Sequence, residues 1–125
     1  MSNIRQISYN DAKKYINKEP YLPVKDTYTY WWLIDEKGEI CSCIWVNEHE
    51  KRMKIECYFT DVMNRWKWYW TEILQKVSKL YEWKKQIIDC LLASKWICEK
   101  NGFVYKRQKT FTHFTIYRCE KTFII

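Results

Sequence analysis

The sequence predicts a single domain of the α/β (α+β) class, spanning residues 1–125, in which one mixed, mostly antiparallel central sheet is flanked by helices. Short stretches of alternating apolar and polar residues indicate strands, and stretches with apolar residues three or four positions apart indicate helices. A chain of 125 residues that is 47% hydrophobic can bury one core, which excludes a disordered protein. Along the chain, the predicted elements follow the order β-α-β-β-β-α-β-α-β-β.

The first two elements are a short strand and a capped helix. The stretch "IRQIS" (4–8) alternates as a strand does. In the "SYNDAKKYINK" that overlaps its end, Ser8 and Asp11 have the spacing of a capping box, which marks the start of a helix. We expect one face of this helix to be apolar, formed by Ala12, Tyr15 and Ile16.

A loop and three strands follow. Two prolines break "EPYLPVKD" (19–26) and predict a loop. The stretch "TYTYWWLIDEKGEICSCIWVNE" (27–48) predicts a hairpin whose turn contains Gly38, a residue that adopts positive φ without strain. The stretch "KRMKIECYFT" (51–60) predicts a further strand, so we expect three consecutive antiparallel strands.

The stretch "TDVMNRWKWYWTEI" (60–73) leads into a helix rich in aromatic residues. Apolar side chains recur at helical spacing here, with lysine and glutamate on the opposite face, which predicts a stripe buried against the core. The stripe consists of Trp66, Tyr69, Trp70, Ile73, Leu74, Val77, Leu80 and Tyr81. Trp68 lies off this stripe, so we expect its side chain to be exposed.

The last third of the chain closes the sheet. The stretch "KQIIDCLLAS" (85–94) is compatible with a buried strand or with a helix, because periodicity does not separate the two in a short apolar run. The stretch "SKWICEKNGF" (94–103) predicts a helix ended by Gly102 at its C′ position. The stretches 103–110 and 113–121 alternate as a closing pair of strands.

The six cysteines form no C-x-x-C pair and lie mostly within apolar runs. We therefore expect reduced thiols that pack as small hydrophobic residues. The less favoured alternative is a zinc site that draws on His49 and His113 from distant segments. The cysteines are Cys41, Cys43, Cys57, Cys90, Cys98 and Cys119.

The formal net charge of +7 indicates a nucleic-acid partner. Abundant lysine, asparagine, isoleucine and tyrosine indicate instead an AT-rich coding sequence, as in a virus or another mobile element. The candidate nucleic-acid contacts are Lys13, Lys14, Arg52, Lys54, Arg65, Lys67, Trp68, Lys106, Arg107 and Lys109. No apolar run approaches the ~20 residues of a membrane span, and the first residues lack a signal-peptide core. We expect a cytoplasmic protein, in the host cell if viral, with no membrane partner.

Two stretches of this order resemble motifs of the GCN5-related N-acetyltransferase (GNAT) superfamily. "ASKWICEKNGF" is similar to the family's helix ending that leads into a late strand. "IECYFTDVMNRWKWYWTEI" is similar to its central strand followed by a loop of the form [RQ]-x-x-G-x-[GA] and a helix. The resemblance implies an acetyltransferase-like fold whose cofactor is acetyl-CoA or another acyl-CoA.

The resemblance also implies where acyl-CoA lies. Its pantetheine arm follows the central strand and its pyrophosphate meets the N-terminus of the next helix, where unpaired amides attract anions. The implied cofactor-binding residues are Tyr58, Thr60, Asn64, Arg65, Lys67 and Trp68. The motif falls on 65–70, where Trp68 and Trp70 stand at the glycine positions, so the loop is degenerate. Either the loop is displaced and Arg65 and Lys67 hold the phosphates, or CoA is not bound in the usual way.

Two catalytic candidates follow from the same resemblance. Acetyl transfer to an amine needs a base for the ammonium proton and an acid for the departing thiolate. Glu56, on the central strand, falls where many members carry the base. Cys98 falls at the position of the family's thiolate-protonating tyrosine. Tyr105 and Tyr117 are substitutes that nothing in the spacing selects.

The sequence therefore predicts a small acyltransferase that moves an acetyl or acyl group from acyl-CoA to an amine. A nucleic-acid base and a basic protein are candidate acceptors. The alternative is a non-catalytic binding or inhibitor protein that keeps the scaffold and binds nucleic acid or a host protein. Ordinary hydrolases are disfavoured, because the chain has no G-x-S-x-G, HExxH or P-loop motif. The oligomeric state does not follow from the sequence.

Overall fold

The computed structural model describes residues 3–16, 25–34, 37–60 and 69–122, the backbone alone at 15–16 and 57–60. Within these ranges seven strands form one sheet in the order β1-β2-β3-β4-β5-β7-β6. The strands are β1 (Asn3–Ile7), β2 (Thr29–Ile34), β3 (Ile40–Glu48), β4 (Arg52–Thr60), β5 (Lys85–Cys90), β6 (Val104–Thr110) and β7 (Thr115–Lys121). The helices are α1 (Tyr9–Ile16), α2 (Tyr69–Leu80) and α3 (Leu92–Lys100).

The predicted order of elements and the predicted class are both confirmed. Every strand pair is antiparallel except β4 with β5, which is parallel because α2 crosses between them. The ambiguous stretch 85–94 divides into β5 and the start of α3. None of the helices in the described ranges has the length and apolar character needed to cross a membrane.

The main core lies on the face of the sheet that α2 and α3 cover. Alternation along β4 directs Met53 and Ile55 to this face, and both are buried. The opposite face carries a smaller cluster in which Ala12 of α1 packs on Tyr30 and Trp45. The sheet therefore separates two apolar layers, and the functional site described below lies on the α1 side.

Most of the α2 stripe is buried as predicted, namely Trp70, Ile73, Leu74, Val77 and Tyr81. The prediction was wrong for Leu80, which is 45% exposed. Ser78 occupies the inward position instead, where its hydroxyl donates to Oε1 of the buried Gln86 at 2.7 Å. Trp66 and Trp68 lie outside the described residues.

Both helix ends predicted from sequence are present. The Asp11 N–H donates to Oγ of Ser8 at 3.2 Å, which caps α1. At the end of α3, Gly102 has φ of 91° and its N–H donates to the Glu99 carbonyl. The Phe103 N–H donates to the Cys98 carbonyl, which completes a Schellman motif.

Five of the six cysteines are free and buried, as expected of thiols that pack as small hydrophobic residues. They are Cys41, Cys43, Cys90, Cys98 and Cys119. Burial raises the pKa of Cys119 to about 12, and a hydrogen bond with Cys98 together with burial raises the pKa of Cys90 further. These two thiols are therefore protonated and unreactive at neutral pH.

Candidate functional site

The two central strands separate partway along their length. β4 pairs with β5 from Arg52 opposite Lys85 to Ile55 opposite Ile88, and the parallel ladder ends there. Beyond that point β4 stays paired with β3 as far as Thr60. β5 likewise stays paired with β7, through Cys90. The result is a fork, in which residues 56–60 of β4 have no partner in β5.

A β-bulge lies at the base of this fork. The register between β3 and β4 changes from Trp45 opposite Cys57 to Val46 opposite Ile55, which leaves Glu56 as the extra residue. A bulge bends a strand and changes the direction of a side chain, and bulges are frequent beside active sites. The predicted catalytic base therefore occupies the one irregular position of β4, where the strands part.

Glu56 belongs to a line of charged side chains on the α1 face of the sheet. Oε2 of Glu56 lies 3.9 Å from Nζ of Lys54, which in turn lies 3.3 Å from Oδ2 of Asp89. Both carboxyl oxygens of Asp89 accept hydrogen bonds from Arg118, each at 2.7 Å. These four residues come from three neighbouring strands, so the line crosses the fork.

The two carboxylates of this line differ in how strongly they are held. Hydrogen bonds from Arg118, and the charge of Lys54, hold the pKa of Asp89 below its ordinary value despite partial burial. Asp89 is thus a fixed anion whose oxygens are already engaged. Within the described residues, Glu56 has one ion pair, with Lys54 at 3.9 Å, and is 18% exposed. Of the two carboxylates, Glu56 is therefore the one held by fewer contacts.

The second catalytic candidate lies on the other face of the sheet. Cys98 is fully buried in the main core, and its thiol lies beside that of Cys90. The substitute Tyr117 pairs with Cys90, the last residue of β5, and packs against the main core, on the same face of the sheet as Cys98. The other substitute, Tyr105, donates its hydroxyl to Oε1 of Gln108 at 2.7 Å. The role of Cys98 stays a prediction.

The predicted cofactor residues fall at and beyond the fork. Tyr58 and Thr60 lie on the unpaired part of β4, opposite Ile44 and Ser42 of β3. The other four, Asn64, Arg65, Lys67 and Trp68, lie outside the described residues. Trp70, the second tryptophan at a glycine position of the motif, is buried in the main core as the second residue of α2. This tryptophan therefore packs under the helix and does not cover the fork.

A pocket adjoins the charged line and was not predicted. It has a volume of about 250 Å³ and lies between the end of β5 and the β6–β7 hairpin. Its lining residues are Asp89, Arg107, Gln108, Lys109, Phe111, Ile116 and Arg118. The sequence did indicate the two residues, Asp89 and Arg118, that belong both to the pocket and to the charged line. Asp89 lies between Ile88 and Cys90 in "KQIIDC", and Arg118 lies between Tyr117 and Cys119 in "TIYRC", so each is a charged residue flanked by apolar ones.

The two histidines do not meet. His49 lies in the turn between β3 and β4, where its N–H donates to the Arg52 carbonyl. His113 lies in the turn between β6 and β7, at the opposite end of the sheet. The structure therefore keeps apart the two histidines on which the alternative zinc site would draw. Among the described residues, no three His, Cys, Asp or Glu side chains come together as metal ligands do.

No family model matches the sequence, and no curated protein shows significant similarity to it. Solved structures of several other proteins are similar to the structure of this chain. The ribosomal-protein-S18-alanine N-acetyltransferase from Escherichia coli has a TM-score of 0.82 at 11% identity, covering 100% of this chain and 96% of that one. A chimeric spermidine N-acetyltransferase from Vibrio cholerae has a TM-score of 0.77 at 9% identity, covering 97% and 95%. A ribosomal-protein-S5-alanine acetyltransferase from Vibrio fischeri has 0.73 at 11%, covering 98% and 93%.

Identities this low show the fold alone, and the fold is consistent from one neighbour to the next. The chain has the fold of the GNAT superfamily, as the two sequence motifs predicted.

Proposed function

We propose that this chain is a small acyltransferase that transfers an acetyl or another acyl group from acyl-CoA to an amine. The observation that carries this proposal is the fork between β4 and β5 with Glu56 at its bulge. The fork supplies an unpaired strand edge for an extended ligand, and the bulge places a carboxylate beside it. The expectation of a cytoplasmic protein, and of a viral or mobile-element origin, stays a prediction.

The open edge of β4 fits the extended part of acyl-CoA. A strand edge without a partner presents backbone N–H and C=O groups at regular spacing, and an amide-containing chain can bind there as a further strand does. Tyr58 and Thr60 lie on this edge and would hold the pantetheine arm. Because Trp70 packs into the core, it leaves the space at the fork open. We assign the phosphate groups to Arg65 and Lys67, which is the first of the two alternatives that the degenerate loop leaves open.

Acyl-CoA, when bound, supplies a thioester carbonyl that an amine can attack. Before that attack, the acceptor's ammonium group must lose a proton, which the Glu56 carboxylate accepts directly or through one water molecule. The nitrogen lone pair then forms the C–N bond while the C–S bond breaks, and the nitrogen loses a second proton, which balances the one that the leaving thiolate gains. The leaving thiolate takes one proton, for which Cys98 is the candidate from sequence. Tyr117 is the candidate from its position at the end of β5.

The first test is calorimetric titration of the purified chain with acetyl-CoA, with CoA and ATP as controls. We expect micromolar affinity for acetyl-CoA and CoA, lost in Arg65→Ala and kept in Glu56→Gln. Transfer is then followed by thiol release with a panel of amines. The absence of acetyl-CoA binding at millimolar concentration would contradict the proposal and favour a scaffold that has lost its cofactor.

A second candidate function is single-stranded nucleic-acid binding, and it is favoured by the β6–β7 hairpin. Every residue of β6 is exposed, among them Lys106, Arg107 and Lys109. At the tip, the exposed rings of Phe111 and Phe114 stack with centroids 4.9 Å apart. Basic side chains beside exposed aromatic rings can bind phosphates and stack bases. This candidate predicts oligonucleotide affinity that falls steeply with salt, whereas a host-protein partner predicts a weak salt dependence.

A further inference from the structure

We propose that the pocket beside the fork binds an anionic group of the acceptor, so that the acceptor is a small amine that also carries a phosphate or a carboxylate. The inference rests on the proposed function, because it names the class of molecule whose amine Glu56 would deprotonate.

The charges that line the pocket favour an anion. Three basic side chains, Arg107, Lys109 and Arg118, face one acidic side chain, Asp89. The two hydrogen bonds between Arg118 and Asp89 engage the acid, so its charge is already compensated. Within the described residues, Arg107 and Lys109 form no ion pair. The pocket is therefore left with two uncompensated positive charges, and a guanidinium can hold a phosphate or a carboxylate through two parallel hydrogen bonds.

The rest of the lining limits the size and character of the ligand. Phe111 and Ile116 supply apolar surface, and Phe111 is held in place by its stacking on Phe114. The volume of about 250 Å³ is smaller than that of common drug-sized pockets. The pocket thus fits one anionic group with a few carbon atoms.

The pocket and the proposed base share a wall. Asp89 lines the pocket, and its Oδ2 lies 3.3 Å from Nζ of Lys54, the residue whose ammonium neighbours Glu56. All of these side chains lie on the α1 face of the sheet. The pocket is therefore joined to Glu56 through Asp89 and Lys54, and we place the acceptor's amine on the Glu56 side of this shared wall.

The same charges disfavour a polyamine. A spermidine-like molecule carries several positive charges and no anion, so Arg107 and Lys109 would repel it from the pocket. The acceptor of this chain would then differ in charge from that of the structurally similar spermidine N-acetyltransferase. Specificity of this kind arises as much from repulsion of the wrong molecule as from attraction of the right one.

The test measures binding of four small amines to the protein without acyl-CoA, by NMR or calorimetry. O-phosphoethanolamine and β-alanine carry the amine with a phosphate or a carboxylate, ethanolamine lacks the anion, and spermidine carries only positive charge. We expect at least a tenfold preference for one or both anionic amines over ethanolamine and spermidine. The stronger of the two identifies the anion.

Two single-residue variants test whether the anionic amine binds in this pocket. Arg107→Gln should weaken binding of the preferred anionic amine about tenfold or more, because it removes a charged bidentate donor. Lys106→Gln makes the same charge change one residue away, outside the pocket lining, and should leave binding within twofold. Equal weakening by both variants would overturn the pocket assignment. So would binding of a single-stranded oligonucleotide while none of the small anionic amines binds, since the basic surface would then serve a polymer.

The two proposals can fail separately. If the chain binds O-phosphoethanolamine or β-alanine but does not bind acetyl-CoA, the result supports the anion-binding pocket and contradicts the acyltransferase proposal. If the chain acetylates spermidine in preference to both anionic amines, the result supports the acyltransferase proposal and overturns the assignment of the pocket to an anionic acceptor.

Discussion

The β4–β5 pair has a closed end, where the two strands begin to pair at Arg52 and Lys85, and an open end at the fork beyond Ile55. The two ends are held by different interactions. At the closed end, the Lys85 N–H donates to the Lys51 carbonyl at 3.1 Å, and Nζ of the buried Lys84 donates to the His49 carbonyl at 2.7 Å. The side chain of Gln86 binds the last turn of α2 through three hydrogen bonds. At the open end, the ladder stops at Ile55, a bulge follows, and the ion pair between Lys54 and Asp89 joins the two strands.

The difference shows how a sheet can open in its middle without coming apart. Each central strand is held along its outer edge, β4 by β3 and β5 by β7, so the fork exposes only the two facing edges. The closed end fixes the angle between the strands, and the open end is left free to bind. We therefore expect substitutions at the closed end of the β4–β5 pair to change mainly stability. We expect substitutions at the open end to change mainly the rate of acyl transfer.

The open end should give the largest effect of a single substitution. Glu56→Gln removes the proposed base, and general-base catalysis contributes about 10²- to 10⁴-fold, so we expect kcat for acyl transfer to fall by that factor. Acetyl-CoA affinity and the melting temperature should change little, because Glu56 has one weak ion pair. Glu120→Gln is the matched control, since Glu120 is a carboxylate paired with Lys85 at the closed end. An equal loss of rate in both variants would contradict a specific catalytic role for the open end.

The closed end should give the largest effect on stability. Gln86→Leu keeps the volume of the side chain but removes three buried hydrogen bonds, which leaves the carbonyls of Ser78 and Tyr81 with one backbone donor each and the Ser78 hydroxyl without its acceptor. We expect a loss of about 2–3 kcal/mol in the free energy of unfolding, measured by urea denaturation. Gln75→Leu, at an exposed position of α2, should change it by less than about 0.5 kcal/mol. At temperatures where the variant is folded, its rate of acyl transfer should match that of the parent protein.

The sequence predicted the closed parts of the fold better than the fork. Alternation and capping depend on residues close together in the chain, so the strands, the helix start at Ser8 and the helix end at Gly102 could all be predicted. Leu80 was assigned to the core because periodicity counts apolar residues. Periodicity takes no account of the serine at 78, which faces inward to meet Gln86.

The fork itself depends on pairing between distant strands, which periodicity does not reveal. Glu56 was predicted as a base from the family resemblance, but its place in a bulge follows only from the register of β3 against β4. The line from Glu56 to Arg118 joins residues more than 60 positions apart, so the pocket beside it could not be predicted. That residues 1–125 form one domain stays a prediction.

The smallest effect should come from the ion pairs of Asp89 with Lys54 and Arg118, and it should depend on pH. Because Arg118 and Lys54 lower the pKa of Asp89 in the folded protein, its contribution to stability is present above the unfolded-state pKa and is lost as the pH falls through the folded-state value. Asp89→Asn should therefore cost about 1–2 kcal/mol at pH 7, a figure reduced for partial exposure, and progressively less below about pH 4.

Urea denaturation of Asp89→Asn at pH 7 and pH 3, beside Glu82→Gln as an exposed control, measures this difference. A cost that stays constant between the two pH values would mean that Asp89 stabilises the fork by packing and not by its charge. The rate of acyl transfer in Asp89→Asn sharpens the result: a fall in rate larger than the loss of stability would show that the ion pairs also position Glu56 through Lys54.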